Sequence, residues 1–411
     1  MSSKLEKRTS LAIAANLMIP PFNYFFNNFS LIHLGGSSYS GLLFGLLIVA
    51  NIYCLSTSYA NKLIPNKYTL ISIILFLLSL FSYIIYMGSI GSKLIASDYN
   101  PVYSELLSLW LFSLPCFLLS STIVEWKYVL KYLNIASPFV ITLGFYCFYK
   151  TGFSVHGAES MNYMVLSYDV LLSGFVCLSS FFRSHKLYNL PFAIIALFII
   201  VAAGCRGAII CYILFVLVLL LFNLKKKTGS LSKYLSIFII IIFTFLIFSN
   251  VATIGVVESF FDKMDISSRI INTATDNTFF ESSSRDLIKK SIMEGLSIWP
   301  WGYGLFGDRY ITYLYYGQPE YAHSIIYETI ANFGIVITPL LWIWIVYYFV
   351  KLFKKVQAND FGYLFLVVFV FSFKLFFSSS YLNEVSFWIV LGMLISFNSK
   401  NSKNNIKSRI I

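Results

Sequence analysis

The sequence predicts an all-α, polytopic membrane protein of about twelve transmembrane helices, with one long extracytoplasmic loop containing short helices. Three observations predict it. Only 12% of the 411 residues are charged and 58% are hydrophobic, whereas soluble domains carry roughly 25% charged residues. About twelve apolar stretches come close to the ~20 residues that cross a ~30 Å hydrocarbon core. Lys and Arg gather in alternate connections between these stretches, as expected when cation-rich connections stay in the cytoplasm.

The first stretch, Leu11–Asn28, follows a basic start at Lys4, Lys7 and Arg8. It contains Pro20-Pro21 and has no small-residue cleavage pattern, so it reads as a retained span and not a signal peptide. Ser40–Ser58 and Thr69–Ile90 flank Lys62 and Lys67. Ser104–Val124 and Asn134–Tyr149 flank Lys127 and Lys131. Tyr163–Phe182 and Tyr188–Ala203 flank Arg183 and Lys186. Gly207–Leu224 and Tyr234–Asn250 flank Lys225 to Lys227 and Lys233. His323–Val350 and Phe361–Phe377 flank Lys351, Lys354 and Lys355, and Tyr381–Phe397 leads into a basic tail from Lys400 to Arg409. These segments hold twenty of the thirty Lys and Arg. Their alternation puts both termini in the cytoplasm and calls for an even number of spans. The net charge of +12 is thereby assigned to topology, with no nucleic-acid partner.

The opposite face receives two short connections, Gly91–Tyr103 and Lys150–Asn162, and the long Val251–Ala322 loop. That loop holds nine of the eighteen acids, which again sets it on the cation-poor side. Within it, Ser283-x-x-Asp286 reads as a capping box, and Leu287, Ile288, Ile292, Gly295 and Leu296 recur at helical spacing. This predicts a short amphipathic helix ending before Pro300, resting on the spans or on the bilayer surface. Trp299 to Trp301 and Tyr347-Tyr348 fit interfacial anchoring. Three regions follow: residues 1–187 as N-terminal spans, 188–355 as a region including loop 251–322 that carries the candidate site residues, and 356–411 as C-terminal spans and tail.

The six cysteines lie in or beside apolar spans without a CxxC pair, so they read as small packing residues, with no disulfide and no metal site. Gly302-Tyr303-Gly304-Leu305-Phe306-Gly307 matches GxGxxG by letter. No strand precedes it, so it reads as a glycine-rich turn that lets the loop pass close to a surface or a substrate. No DxD, HExxH, GxSxG or Walker A pattern is present, and no cofactor is expected.

Arg206 interrupts two apolar runs. An arginine at mid-membrane costs about 2.5–3.5 kcal/mol on insertion scales, so it snorkels to water or has a task, such as clamping an anion. Arg285 falls in the first turn of the loop helix, where a cation opposes the helix dipole. It is either a solvated surface residue or an anion ligand acting with the free helix N–H groups. Arg269 and Arg309 are further candidates in the same loop. His323 opens the tenth span and can accept a proton from a hydroxyl as a neutral imidazole. Tyr327 lies on the same helix face as His323, while Glu328, five positions on, does not and pairs with a basic group elsewhere. Asp169 and Lys374 are buried charges best read as paired or packed within the bundle. Outward-facing arginines with one histidine suit the departure of a sugar from a lipid diphosphate. The cations stabilise the leaving polyanion and the imidazole activates the attacking hydroxyl.

These residues resemble the O-antigen polymerase and O-antigen ligase superfamily of bacterial envelope glycosyltransferases. Cys205-Arg206-Gly207-Ala208 is similar to the family's Ser/Thr-Arg-Gly/Ala element. The long outer loop with Arg285 follows, then Trp299-Pro300-Trp301-Gly302-Tyr303-Gly304, similar to a Pro-x-x-Gly-x-Gly turn. Last comes His323-Ser324 and, after nine intervening residues, Gly334. The likeness covers about Tyr188 to Val350, and Cys205 and Ile337 depart from the family's pattern. The resemblance implies a twelve-helix inner-membrane, metal-independent, inverting enzyme of lipopolysaccharide biosynthesis. Its donor and acceptor would be undecaprenyl-diphosphate-linked oligosaccharide, and a chain-length regulator and a flippase would be partners beside the membrane lipid. Arg206 and Arg285 would hold the diphosphate, His323 would be the base or the acceptor-orienting group, and Tyr303, Tyr321 and Tyr327 with Arg269 and Arg309 would line the substrate. Polymerase is the favoured reading. A ligase acting on lipid A core, a lipid-linked-oligosaccharide flippase and an inactive assembly partner stay open.

Overall fold

The computed structural model describes residues 2–34, 40–94, 101–122, 125–150, 162–224, 283–356 and 359–407. Among these residues every regular element is a helix. In chain order they are α1 (Ser2–Leu34), α2 (Ser40–Ala60), α3 (Asn66–Leu94), α4 (Pro101–Ser108), a π turn (Leu109–Ser113), α5 (Leu114–Ser121), α6 (Trp126–Lys150), α7 (Tyr163–Ser184), α8 (Asn189–Ala203) and α9 (Arg206–Leu224). After the undescribed stretch come α10 (Ser283–Ile298), α11 (Gly307–Tyr316), α12 (Ile325–Lys355), α13 (Asp360–Phe371), a 3-10 turn (Ser372–Phe376) and α14 (Val385–Lys407).

Among the described residues seven helices are long and apolar enough to cross a membrane: α2, α3, the run from Val102 to Ser121, α6, α7, α9 and α12. The chain is a multi-pass membrane protein. The twelve spans expected from sequence include further stretches that are shorter, interrupted, mixed with polar residues or outside the described residues. The 15 residues of α8 rise only about 22 Å, and the apolar part of α14 is also short, Val385–Phe397. α13 gives way to a 3-10 turn before Lys374. α1 mixes its apolar residues with Lys4, Lys7, Arg8 and several asparagines. The Tyr234–Asn250 stretch, and the loop from Val251 to residue 282, lie outside the described residues.

α7 is the centre of the bundle, with 83% of its apolar window buried, and packs against α6, α8, α9 and α13. α3 is peripheral, with 17% buried and Leu77, Phe81 and Ile84 turned outward. Phe175 and Phe215 stack at 4.0 Å between α7 and α9. Asn16 of α1 and Asn51 of α2 exchange side-chain hydrogen bonds of 2.7 and 3.1 Å, which satisfies two amides that have no water to turn to. Asn51 also donates to the Leu111 carbonyl at 3.0 Å, inside the π turn where the regular ladder is broken.

The two ends of the bundle differ. At one end Ser10 donates to the Glu125 carbonyl, Glu125 pairs with Lys127, and Arg183 pairs with Asp360. The basic turns after α2, α7 and α12 belong to this end. α7 then carries the chain about 30 Å away from Arg183 to Met164. There it meets α10 and the residues that follow.

Candidate functional site

The amphipathic helix expected in the loop is α10, and its inward face is Ile288, Ile292 and Leu296. Leu287 is 52% exposed and not part of that face. The face rests on Ile311, Ala322 and Ala331, hence on α11 and α12, and not on a bilayer surface. Each such side chain contributes about 1.5–3 kcal/mol by leaving water. Asp286 is engaged by Lys289 at 3.0 Å.

This seating aims Arg285 inward. Its Nη1 donates to the Phe377 carbonyl at 2.9 Å and Nη2 lies 3.8 Å from Met164 Sδ. Phe377 also walls the start of α9, because a Cβ on Gly207 would come within 2.9 Å of Phe377 Cβ. Phe377 therefore bridges Arg285 to the end of α9 that Arg206 opens. Arg206 is half-buried there. Cys205 is buried in the same place, and the Arg285 charge reaches it.

His323 reaches the same region. Its side chain is 17% exposed and its Nδ1 is shut off from solvent with no hydrogen-bond partner. Burial first, then the charges of Arg285 and Arg309, push its pKa down to about 4. The imidazole is thus neutral at neutral pH, and its 3.9 Å separation from Glu320 is no ion pair. The ring packs 3.9 Å from that of Tyr321, centroid to centroid. The backbone of His323 is left-handed, with φ of 52°.

Arg309 departs from expectation. The resemblance sets it along the substrate, yet its side chain is 1% exposed and both terminal nitrogens are committed to carboxylates. Nη1 donates to both Asp308 oxygens at 2.7 Å and to Glu328 at 2.8 Å, and Nη2 donates to Glu105 at 2.7 Å. Burial opposes its charge, but the three carboxylates outweigh that and raise its pKa. Glu328 does pair with a distant basic group, as its helix position required. Lys374 is likewise paired, to Glu384 at 2.6 Å, with Asp169 within reach of both charges.

Tyr303 is tied down too, donating to the Gly295 carbonyl at 2.7 Å, and burial pushes its phenol up. Tyr327 is half-buried with Lys289 5.9 Å above its ring. Arg269 lies outside the described residues. The glycine turn passes close to a broken helix. Tyr303 and Gly304 donate to the Ala331 and Asn332 carbonyls at 2.8 and 3.0 Å, and Ile335 donates to the Pro300 carbonyl at 2.9 Å. Sequence reasoning missed Glu105 and Asp308. A lone acid in the apolar run of α4 requires a cation, and that signal pointed to Glu105.

The end of the bundle thus presents one guanidinium on a helix's first turn, an arginine-headed helix start beside it, and a neutral imidazole. Such a set can hold an anion and accept a proton. Among the described residues no group of three or more His, Cys, Asp or Glu could hold a metal ion. No family model matches this chain, and no curated protein matches its sequence, so its reading rests on residues and geometry.

Proposed function

We propose that this chain is a twelve-span inner-membrane glycosyltransferase. It polymerises undecaprenyl-diphosphate-linked oligosaccharide repeats into O-antigen or a related surface polysaccharide at the periplasmic face. The observation that carries the reading is the approach of Arg285 to both the Arg206 end of α9 and His323. In the proposed reaction, His323 takes the proton of an acceptor hydroxyl, whose oxygen attacks the anomeric carbon of the donor. The bond from that carbon to the phosphate oxygen breaks, and the lipid diphosphate leaves with the electron pair. Arg285 and Arg206 receive the developing charge. Because His323 Nδ1 is closed off, proton transfer runs through Nε2.

Deletion of the gene, followed by gel analysis of surface lipopolysaccharide, tests this. Core bearing a single repeat, restored to long chains by the wild-type gene and not by His323→Ala, is the expected result. Core with no repeat points instead to a ligase or a flippase, and lipid-linked polymer accumulating in the outer leaflet singles out the ligase. Normal chains made by His323→Ala protein overturn the base assignment.

A further inference from the structure

We propose that Asp308, Arg309 and Thr312 are positioning residues that together hold His323 in place from both sides of the chain. The proposal deepens the reading of His323 as the proton acceptor and rests on it.

The side chains of Asp308, Arg309 and Glu328 are at most 1% exposed. A buried ion cluster is a poor way to gain stability, because desolvation offsets most of the attraction. Here three carboxylates surround one guanidinium, and both Glu105 Oε2 and Arg309 Nε are buried without hydrogen-bond partners. The cluster is better explained by the geometry it fixes.

Upstream of His323, Asp308 Oδ2 accepts the backbone N–H of Ala322 at 2.9 Å while also accepting from Arg309. Thr312, one turn further along α11, clasps Glu320. Its Oγ1 accepts the Glu320 N–H and donates to the Glu320 carbonyl, both at 2.9 Å. Between these ties, the Tyr321 ring lies 5.9 Å from the Arg309 guanidinium carbon and packs at a tilt beside His323. Downstream, the Ser324 carbonyl accepts the Glu328 N–H at 2.9 Å. Glu328 is itself bound to Arg309, to the Ser380 hydroxyl and to the Tyr381 N–H. Both flanks of His323 therefore hang from one guanidinium. A left-handed backbone at a non-glycine residue is strained and persists only when its surroundings impose it. Asp308, Arg309 and Thr312 supply that imposition.

The test uses the full-length protein and the reactivity of His323 toward diethyl pyrocarbonate, read by mass spectrometry. His185, exposed at the far end of α7, is the internal control in the same molecule. Asp308→Asn and Thr312→Val are the variants. Thr312→Val is isosteric and leaves every charge in place, so it gives the answer if Asp308→Asn does not fold. We expect His323 to react several-fold faster in the variants while His185 is unchanged. In the polymerisation assay kcat falls by roughly 10²-fold with little change in KM, as for a misplaced base beside an intact anion clamp. Wild-type His323 reactivity in folded Thr312→Val protein overturns the proposal, as does a loss confined to KM. The labelling is independent of turnover. If His323→Ala makes normal chains, the sugar-transfer reading fails while the labelling still reports whether Asp308 and Thr312 hold the ring.

Discussion

An imidazole kept neutral by neighbouring guanidiniums becomes a stronger base once an anion covers them. His323 is in that situation, since burial and then Arg285 and Arg309 lower its pKa. Arg309 is already neutralised by its own carboxylates, so Arg285 is the cation that a bound diphosphate would screen. On the proposed function, donor binding would then raise the basicity of His323 as the acceptor arrives. The sign of the pH effect follows. In the free protein His323 becomes protonated, and inactive as a base, as pH falls through about 4. Arg285→Gln removes one of the lowering charges, so the acid limb of kcat/KM moves to higher pH. The same variant loses roughly 10²–10³-fold in kcat for want of a donor to the leaving oxyanion. An acid limb that stays in place, measured from about pH 4 to 8, shows that His323 does not sense Arg285. Arg285→Lys keeps the charge but not the planar fork that serves the Phe377 carbonyl with one nitrogen and leaves others for an anion. It should hold the limb where it is in the wild type and still lose activity.

At the scale of elements, α12 breaks at Gly334, whose φ of 79° and ψ of 173° belong to a region open almost only to glycine. The break frees the backbone around it, and the turn from Pro300 to Gly304 takes up those groups. Gly302 faces the break so closely that a Cβ there would lie 2.7 Å from the Asn332 carbonyl oxygen. A Cβ on Gly334 would lie 2.5 Å from the Pro300 oxygen. Gly334→Ala and Gly302→Ala should each destabilise the protein by about 1–3 kcal/mol, seen as a lower melting temperature in detergent, whereas Gly41→Ala, with open space around it, should not. Equal melting temperatures for all three would show that turn and break are not coupled. The glycine spacing was visible in the sequence, but its partner was not, because a turn of positive-φ glycines looks the same whether it approaches a ligand or a backbone. α10 was legible from the period of Ile288, Ile292 and Leu296. Only packing could show that Leu287, one position round the helix, faces away. Glu105 and Arg309 are 204 positions apart, a distance over which no local pattern speaks. The place of Arg309 in a cation-poor loop suggests an anion ligand, while its burial among Asp308, Glu328 and Glu105 commits it to carboxylates of the chain itself.

For the molecule as a whole, the sorting of charge and the sorting of contacts agree on two unlike ends. One carries the basic turns joined through Glu125, Arg183 and Asp360. The other carries α10, α11 and the approach of Arg285 to His323. By the positive-inside rule the first end would face the cytoplasm, and a lipid-diphosphate chemistry at the second would draw on the outer leaflet. The six cysteines are buried and free, so a membrane-impermeant maleimide meets little background in intact cells. Asn61→Cys sits on the exposed turn after α2, and Ser297→Cys on the exposed end of α10. In cells whose outer membrane has been made permeable, Ser297→Cys should label and Asn61→Cys should label only after the inner membrane is opened as well. The reverse pattern would turn the bundle over and leave Arg285 and His323 facing the cytosol. Labelling of both from one side would mean that the chain between them does not cross the bilayer an odd number of times. α2 to α10 would then need a different pairing of spans than the alternating basic turns imply.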